Sequence, residues 1–396
     1  GLGGESMALG GESMAIEAHQ PLRVLLMADS HLGFDLPTHP RVERRRRGHD
    51  FLANHRLALR TALKEQVDLV VHGGDLFHRP HVPPSLVFQA FQPLLEVAEV
   101  GIPVFLTPGN HERSRIPHDR FGIHPNLHIF REPGTVRLEV HGVRVALSGF
   151  PYRRKIREAF PAILRETGWD RERADLRFLC MHHCVEGATV GPADFTFRSN
   201  PDVICGMEIP GGFAAVLSGH IHRHQVLRKD LQTRPLKTPV FYPGSVERTA
   251  FAEASEAKGF LILKAIPGPD GGQLLGHEFV HLPARPMEVL HLAPEEGPGG
   301  EWAPGELVER LREKLSNAPP DSVFQLRVDG HLPSSERHEI SAATLRKVIP
   351  RHMNVQLTLE QDRVLRGRSR VRSGSVDPRQ KGEKETSLPL QHRLAI

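Results

Sequence analysis

An α/β fold with much parallel sheet is the class this sequence predicts, on three observations. Short apolar runs bounded by turn residues recur through the first 222 positions, helix-like stretches separate the early ones, and each run ends at residues able to hold a metal ion. The run LRVLLMA (Leu22–Ala28) leads into Asp29-Ser30-His31, and DLVVHGG (Asp68–Gly74) leads into Asp75. PVFLTPG (Pro103–Gly109) leads into Asn110-His111, RFLCM (Arg177–Met181) into His182, and AAVLSG (Ala214–Gly219) into His220-Ile221-His222. Such runs read as buried strands. The spacing predicts helices over Phe51–Gln66 and Ser85–Val100. In open sheets of this kind, sites form outside the carboxyl ends of the strands. All five clusters are therefore expected at one edge.

The residue types point to two divalent cations. In Asp29-x-His31 and His220-x-His222 the two side chains share a face, because residues i and i+2 of a strand do. A carboxylate can bridge two cations, and Asp75 is the natural candidate; Asn110 offers a neutral carbonyl oxygen. Mixed nitrogen and oxygen ligands suit manganese, iron or zinc better than calcium, and the lack of a thiolate argues against a structural zinc. With 25 histidines in the chain, a single Asp-x-His or His-x-His carries little weight. The weight lies in five clusters in order, each after an apolar strand. Paired cations are the standard device for hydrolysing a phosphate ester.

These residues carry a resemblance. D-x-H, G-G-D, G-N-H-E, a histidine after a strand, and G-H-x-H together resemble the signature of calcineurin-like metallophosphoesterases. The resemblance implies a metallophosphoesterase β-sandwich flanked by helices, with a dimetal site at one edge. It implies that one cation takes Asp29, His31, Asp75 and His222, and the other Asp75, Asn110, His182 and His220. His111 would be the acid that protonates the leaving oxygen, a task suited to an imidazole. At Met181-His182-His183-Cys184, strand alternation turns only one histidine toward the metals; family spacing favours His182, with Cys184 as a small buried hydrophobe. A narrower resemblance, to SbcD-type DNA repair nucleases, rests on HGGDLFHRPHVPPS (His72–Ser85) and PGSVERTAFAEASEAKGFLIL (Pro243–Leu263). It covers residues 21 to about 285 and implies a second substrate-facing histidine at His78.

Composition bounds the compartment. The chain has 396 residues, which suits one large and one small domain, with 39% hydrophobic and 25% charged residues, as in soluble proteins. No apolar run approaches the length of a bilayer span, and no basic start precedes an apolar core. Three cysteines give no disulfide framework, so a cytoplasmic setting is expected. The net charge of +4 is mild, but the basic residues cluster. Arg44, Arg45, Arg46 and Arg47 follow the first metal motif and are expected to contact a DNA backbone. Arg153, Arg154, Lys155 and Arg157 form a second cluster, and Arg363 to Arg372 a third that reads equally well as a solvated run.

Residues 1–20 hold a Gly-rich tandem repeat, LGGESMA twice, and read as a disordered tail. Residues 21–285 form the expected catalytic domain, with a boundary at the prolines Pro283 and Pro286. Residues 286–365 read as a smaller α/β domain: a strand over Met287–Leu292, a helix over Gly305–Ala318 with leucines every fourth residue, a strand over Ser322–Gly330, a helix over Ser341–Pro350 and a strand over Asn354–Gln361. The resemblance implies that this domain caps the active site. Residues 366–396 read as a basic disordered tail. The resemblance also implies an SbcC-type coiled-coil ATPase as partner, with LPLQHRLAI (Leu388–Ile396) as a mild apolar contact, and a homodimer as a common family state, although no single apolar stripe demands one.

The leading expectation is a manganese-stimulated DNA nuclease, an exonuclease with endonuclease activity open, acting in end processing and repair. Two others stand beside it. The same metal chemistry would serve a phosphodiesterase or phosphatase for a small nucleotide. The chain could instead be a DNA-end binding subunit gated by its ATPase partner. The extra C-terminal domain, the GDLFH segment and the arginine clusters favour DNA.

Overall fold

The computed structural model describes residues 20–35, 46–113, 116, 123–333, 344 and 347–359. Sheet one holds four parallel strands, β1 (Leu22–Met27), β2 (Leu69–His72), β3 (Val104–Leu106) and β4 (Leu127–Ile129). The hairpin β5 (Gly134–Val140) and β6 (Val143–Gly149) opens sheet two, which continues with β7 (Leu176–Met181). Two small pairs follow, β8 (Cys184–Val185) with β11 (Val203–Ile204), and β9 (Thr189–Val190) with β10 (Phe195–Thr196). Sheet two is completed by β12 (Ala215–Ser218), β13 (Gln225–Lys229) and β14 (Pro235–Tyr242). The hairpin β15 (Gly259–Ile266) and β16 (Gln273–His281) then returns to sheet one, antiparallel to β1. The strand orders are β16-β15-β1-β2-β3-β4 and β13-β14-β12-β7-β6-β5.

The apolar runs are continuous because the central strands are buried on both faces. Leu22, Val24 and Leu26 of β1 meet Leu261 and Leu263 of β15 and, across the sandwich, Leu147, Phe178, Leu217 and Phe241 of sheet two. The alternate residues Leu25 and Met27 pack under α1 (Arg47–Lys64) and α2 (Pro84–Glu99), against Phe51, Leu59, Phe91 and Leu94. On the far side of sheet two, Leu179, Met181 and Val216 pack against Phe160 and Ile163 of α3 (Ile156–Thr167). The result is the expected sandwich flanked by helices. Helix α3 has no counterpart among the expected elements. Its buried residues Ile156, Phe160, Ile163 and Leu164 have helical spacing, but Pro161 interrupts the run and masks it.

After the sandwich come β17 (Met287–Leu292), α4 (Glu306–Ser316), β18 (Val323–Val328) and β19 (Asn354–Leu359). The three strands form a parallel sheet of their own, and α4 buries Leu307, Leu311 and Leu315 against Trp302, Phe324 and Leu326. Residues 344, 347 and 348, inside the expected helix Ser341–Pro350, are helical. The tail 366–396, the cluster Arg363 to Arg372 and the repeat in residues 1–19 lie outside the described residues. Among the described residues, no helix is long and apolar enough to cross a membrane.

Candidate metal centre

The seven expected ligands stand at the carboxyl ends of β1, β2, β3, β7 and β12, where the two sheets share an edge. The first two loops are zipped together: the Asp29 amide donates to the Gly74 carbonyl (2.9 Å) and the His31 amide to the Asp75 carbonyl (3.0 Å). Four of the seven hold left-handed backbone, Asp29 (φ 52°), His31 (43°), Asp75 (51°) and His220 (81°). Such conformations cost about 1–3 kcal/mol each in L-residues and gather at functional sites. Gly74 (φ 106°) is also required: a Cβ there would land on Nδ1 of His182. Gly74→Ala is therefore expected to destabilise by about 1–3 kcal/mol. It should also displace His182, read as a lower denaturation midpoint together with weaker metal retention.

The side chains fall into two donor sets. In the first, Nε2 of His31 and Nε2 of His222 are 3.0 Å apart, with Oδ1 of Asp29 3.9 and 3.8 Å from them and Oδ2 of Asp75 3.9 Å from His31. In the second, Nε2 of His182 is 3.3 Å from Oδ2 of Asp75 and 3.1 Å from Oδ1 of Asn110, which is 3.0 Å from Nδ1 of His220. Ligand atoms roughly 2.1 Å from a shared ion stand about 3 to 4 Å apart at angles between a right angle and 135°. The donor chemistry and spacing fit divalent cations, with Asp75 common to both sets. Asp29 also belongs with Asp75 and His182.

Charge is crowded here. Burial pushes the Asp29 carboxyl up to about 6, against the pull of His182 and His222. Burial opposes ionisation of Asp75 as well, but His182 beside it wins and holds Asp75 well below its usual range. Burial also opposes the charged form of His182, and Asp75 more than offsets it, lifting the imidazole to about 9. A buried carboxylate–imidazole cluster of this kind is what a bound cation neutralises.

Several supporting residues were not anticipated. Glu112, the last letter of G-N-H-E, is buried and accepts the Phe77 amide (2.8 Å) and the Gly109 amide (2.9 Å), tying the β2 loop to the β3 loop. Burial and then Asp75 push its carboxyl up to about 8. Behind the site runs a closed hydrogen-bond chain. The Gly74 amide donates to Nδ1 of His72 (3.2 Å), so Nε2–H of His72 donates to Oγ of Ser30 (2.8 Å). The Ser30 hydroxyl donates to Nδ1 of His55 (3.0 Å), and Nε2–H of His55 ends on the Ala90 carbonyl (3.0 Å). Burial holds both imidazoles neutral, His55 down to about 4 and His72 well below the usual range. The chain orients Ser30, the residue between Asp29 and His31. The motif D-S-H signalled this serine only as a spacer.

Flanking the first donor set are His78 and His111. Nδ1 of His78 is 3.3 Å from Nδ1 of His31, and Nδ1–H of His111 donates to the His78 carbonyl (2.9 Å). The three rings lie 4.7 to 5.3 Å apart. Burial, then the charges of His111 and Arg79, lower His78 to about 4. His183 turns away from the donor sets. It stacks under Tyr152 (4.9 Å), and its Nε2 accepts the Arg153 amide (3.3 Å). Cys184 is buried.

The arginine run needs correction. Arg47 is 7% exposed, inside the first turn of α1, where Nη2 donates to the Arg248 carbonyl (2.8 Å) and Asp50 and Glu247 stand 3.6 and 3.5 Å away. Its guanidinium also lies over the Phe34 and Phe51 rings. It braces the fold and is not presented to a DNA backbone. Arg46 pairs with Asp35 (3.4 Å) and is partly exposed; Arg44 and Arg45 lie outside the described residues. Arg153, Arg154 and Lys155 are exposed and follow Tyr152, whose amide donates to the Pro108 carbonyl (2.8 Å) and whose ring is 5.8 Å from that of His220.

Residues 22–224, just over half of the chain, match the family model described as calcineurin-like phosphoesterase, and the chain belongs to that family. It is accordingly a phosphoester hydrolase of a class that uses divalent metal ions. Among curated proteins, it is 25% identical over 342 residues to the DNA double-strand break repair protein Mre11 of Methanopyrus kandleri, covering 78% of this chain and 68% of that protein. It is 25% identical over 400 residues to the D component of the nuclease SbcCD of Bacillus subtilis, covering 92% and 93%. A third relative, Mre11 of Archaeoglobus fulgidus, is 24% identical, with 60% of this chain and 56% of that protein covered.

Proposed function

We propose that this protein is a two-metal-dependent DNA nuclease acting at DNA ends in repair. The observation that carries the reading is the pair of donor sets sharing Asp75, set beside His78 and His111 and next to the exposed Arg153, Arg154 and Lys155. One cation would be held by Asp29, His31, Asp75 and His222, the other by Asp75, Asn110, His182 and His220. Manganese is the proposed ion, with iron or zinc as alternatives. When bound, the pair supplies Lewis acidity that activates water and offsets charge on the phosphoryl group.

The chain's own residues do the rest. With Nδ1–H of His111 held on the His78 carbonyl, Nε2 is the nitrogen left to give a proton to the leaving ribose oxygen. His78, neutral at pH 7, can donate one hydrogen bond to a phosphate oxygen without adding charge. The exposed basic residues after Tyr152 would guide the strand by its backbone. The β17–β19 unit is the proposed cap, and the similarity to a component of SbcCD favours an SbcC-type coiled-coil ATPase as partner. A homodimer and a cytoplasmic location belong to the same reading.

The test is cleavage of end-labelled linear DNA with and without Mn2+, beside a chromogenic phosphodiester and a panel of nucleotides. Mn2+-dependent shortening of DNA is expected. Turnover of small esters with DNA untouched would reject the nuclease reading for the isolated chain. Metal should also stabilise the fold: at free Mn2+ of about 100 times Kd, one site adds about 2.7 kcal/mol. A thermal midpoint that does not move with Mn2+ would contradict the ligand assignment.

A further inference from the structure

Three of the donor-set imidazoles have their second ring nitrogen held, and one of those partners differs in kind. Nδ1 of His182 donates to the Gly73 carbonyl (2.7 Å), and Nδ1 of His31 faces Nδ1 of His78 (3.3 Å). Nδ1 of His222 instead meets a carboxylate, Oε1 of Glu253, at 3.0 Å, with Oγ1 of Thr249 beside it at 3.1 Å. Glu253 is 9% exposed and ends the short 3-10 turn Phe251–Glu253. The Thr249 hydroxyl donates to the same oxygen (2.6 Å), and the Thr249 amide donates to the other (3.1 Å). Lys258, fully buried, completes the cluster: Nζ is 2.8 Å from Oε2 of Glu253 and donates to Oε2 of Glu256 (3.1 Å) and to the His222 carbonyl (2.9 Å). Ring and backbone of His222 are thus gripped by one buried group of charges.

That arrangement is costly as mere packing, because apolar side chains could fill the space without desolvating an ammonium and two carboxylates. Glu253 is instead ion-paired with the buried Lys258 and accepts hydrogen bonds at both oxygens. An ionised carboxylate on Nδ1–H fixes the imidazole tautomer and strengthens the opposite nitrogen as a ligand.

We propose that Glu253 is a positioning residue for cation binding. It accepts the Nδ1 proton of His222, directs the Nε2 lone pair toward His31 and Asp29, and raises the basicity of that nitrogen, with Lys258 as its counter-charge. The proposal rests on the metal-centre reading above. It predicts that the two cation positions respond unequally, since the His182 and His220 set has no such backing carboxylate among the described residues.

The experiment is a calorimetric titration of metal-free wild type and Glu253→Gln with Mn2+, in the absence of DNA. Glu253→Gln keeps the side-chain volume but removes the charge. One of two binding events should weaken about 10–100-fold while the other stays. Unchanged affinities would overturn the proposal. So would a lower thermal midpoint of the metal-free variant with both binding events intact, because a merely structural contact behaves that way. If the variant does not fold, a long-range 1H–15N spectrum of the metal-free wild type decides. A His222 ring that carries a proton on Nδ1 supports the proposal, and a ring protonated at Nε2 alone overturns it. Wild type that binds no Mn2+ would reject the metal-centre reading itself, a result separate from a loss confined to the variant.

Discussion

Asp75→Ala should abolish metal-dependent hydrolysis while leaving the sandwich folded. Asp75 is the carboxylate common to both donor sets, and its Oδ1 also accepts the His111 amide (2.9 Å). One substitution would therefore weaken both cation positions and loosen the backbone of the proposed acid. A loss of about 4 kcal/mol or more of transition-state stabilisation corresponds to a fall in rate of about 10^3-fold or more. Metal-free stability should fall as well, because Asp75, held well below its usual range by His182, is the partner that lifts that buried imidazole, and removing it leaves His182 uncompensated; relief of like-charge crowding with Asp29 and Glu112 offsets only part of this. The measurement is Mn2+-dependent turnover of DNA and of a chromogenic diester, with circular dichroism melting of the metal-free variant alongside. Full turnover in metal-controlled buffer would show that the shared ligand is misassigned.

The proposed ligands were legible in the sequence because each follows a strand buried on both faces, and such strands announce themselves as unbroken apolar runs. Once the runs are strands of parallel sheet, topology alone gathers their carboxyl ends. The supporting residues left no such trace. Glu253 stands 31 positions after His222, inside the Pro243–Leu263 segment that carries the narrower resemblance, but nothing local there marks it as a partner of His222, and only the return of β15 into sheet one brings it behind the ring. His55 and His72 read as one histidine on a helix and one inside a strand; their link through Ser30 depends on how α1 packs on sheet one. Arg47 departs from the expected DNA-backbone contact for a related reason. A run of four arginines reads as exposed basic charge, but helix α1 begins at Arg47 and brings its guanidinium over the Phe34 ring, where Asp50 and Glu247 offset its charge. Burial of a charge is a tertiary fact, and local composition does not encode it.

Arg285→Ala is expected to free the β17–β19 unit from the sandwich without dismantling either. Arg285 is 7% exposed, and its guanidinium alone makes four contacts. Nη1 donates to Oδ2 of Asp50 on α1 (3.1 Å) and to Oδ1 of Asn354 at the start of β19 (2.6 Å). Nη2 donates to the His352 carbonyl (2.7 Å), and Nε to the Asp321 carbonyl (2.6 Å). Its own carbonyl accepts Nη1 of Arg248 (3.0 Å), so the same residue is also held from the catalytic side. Removing one partner of a buried charged pair costs about 3–5 kcal/mol, because the groups left behind lose their hydrogen bonds without regaining water. Here that cost falls on the junction. Hydrogen exchange should accelerate in β17, β18 and β19 while β1 and β7 stay protected, since their cores lie inside the sandwich. The functional consequence separates the two roles. A chromogenic diester needs only the proposed donor sets, so its turnover should stay near wild type, whereas on the proposed reading, in which the small unit caps the site, a DNA end should be cleaved more slowly. Equal loss on both substrates would mean that Arg285 supports the metal centre itself, through Asp50 and α1, and that the small unit does not act on the substrate.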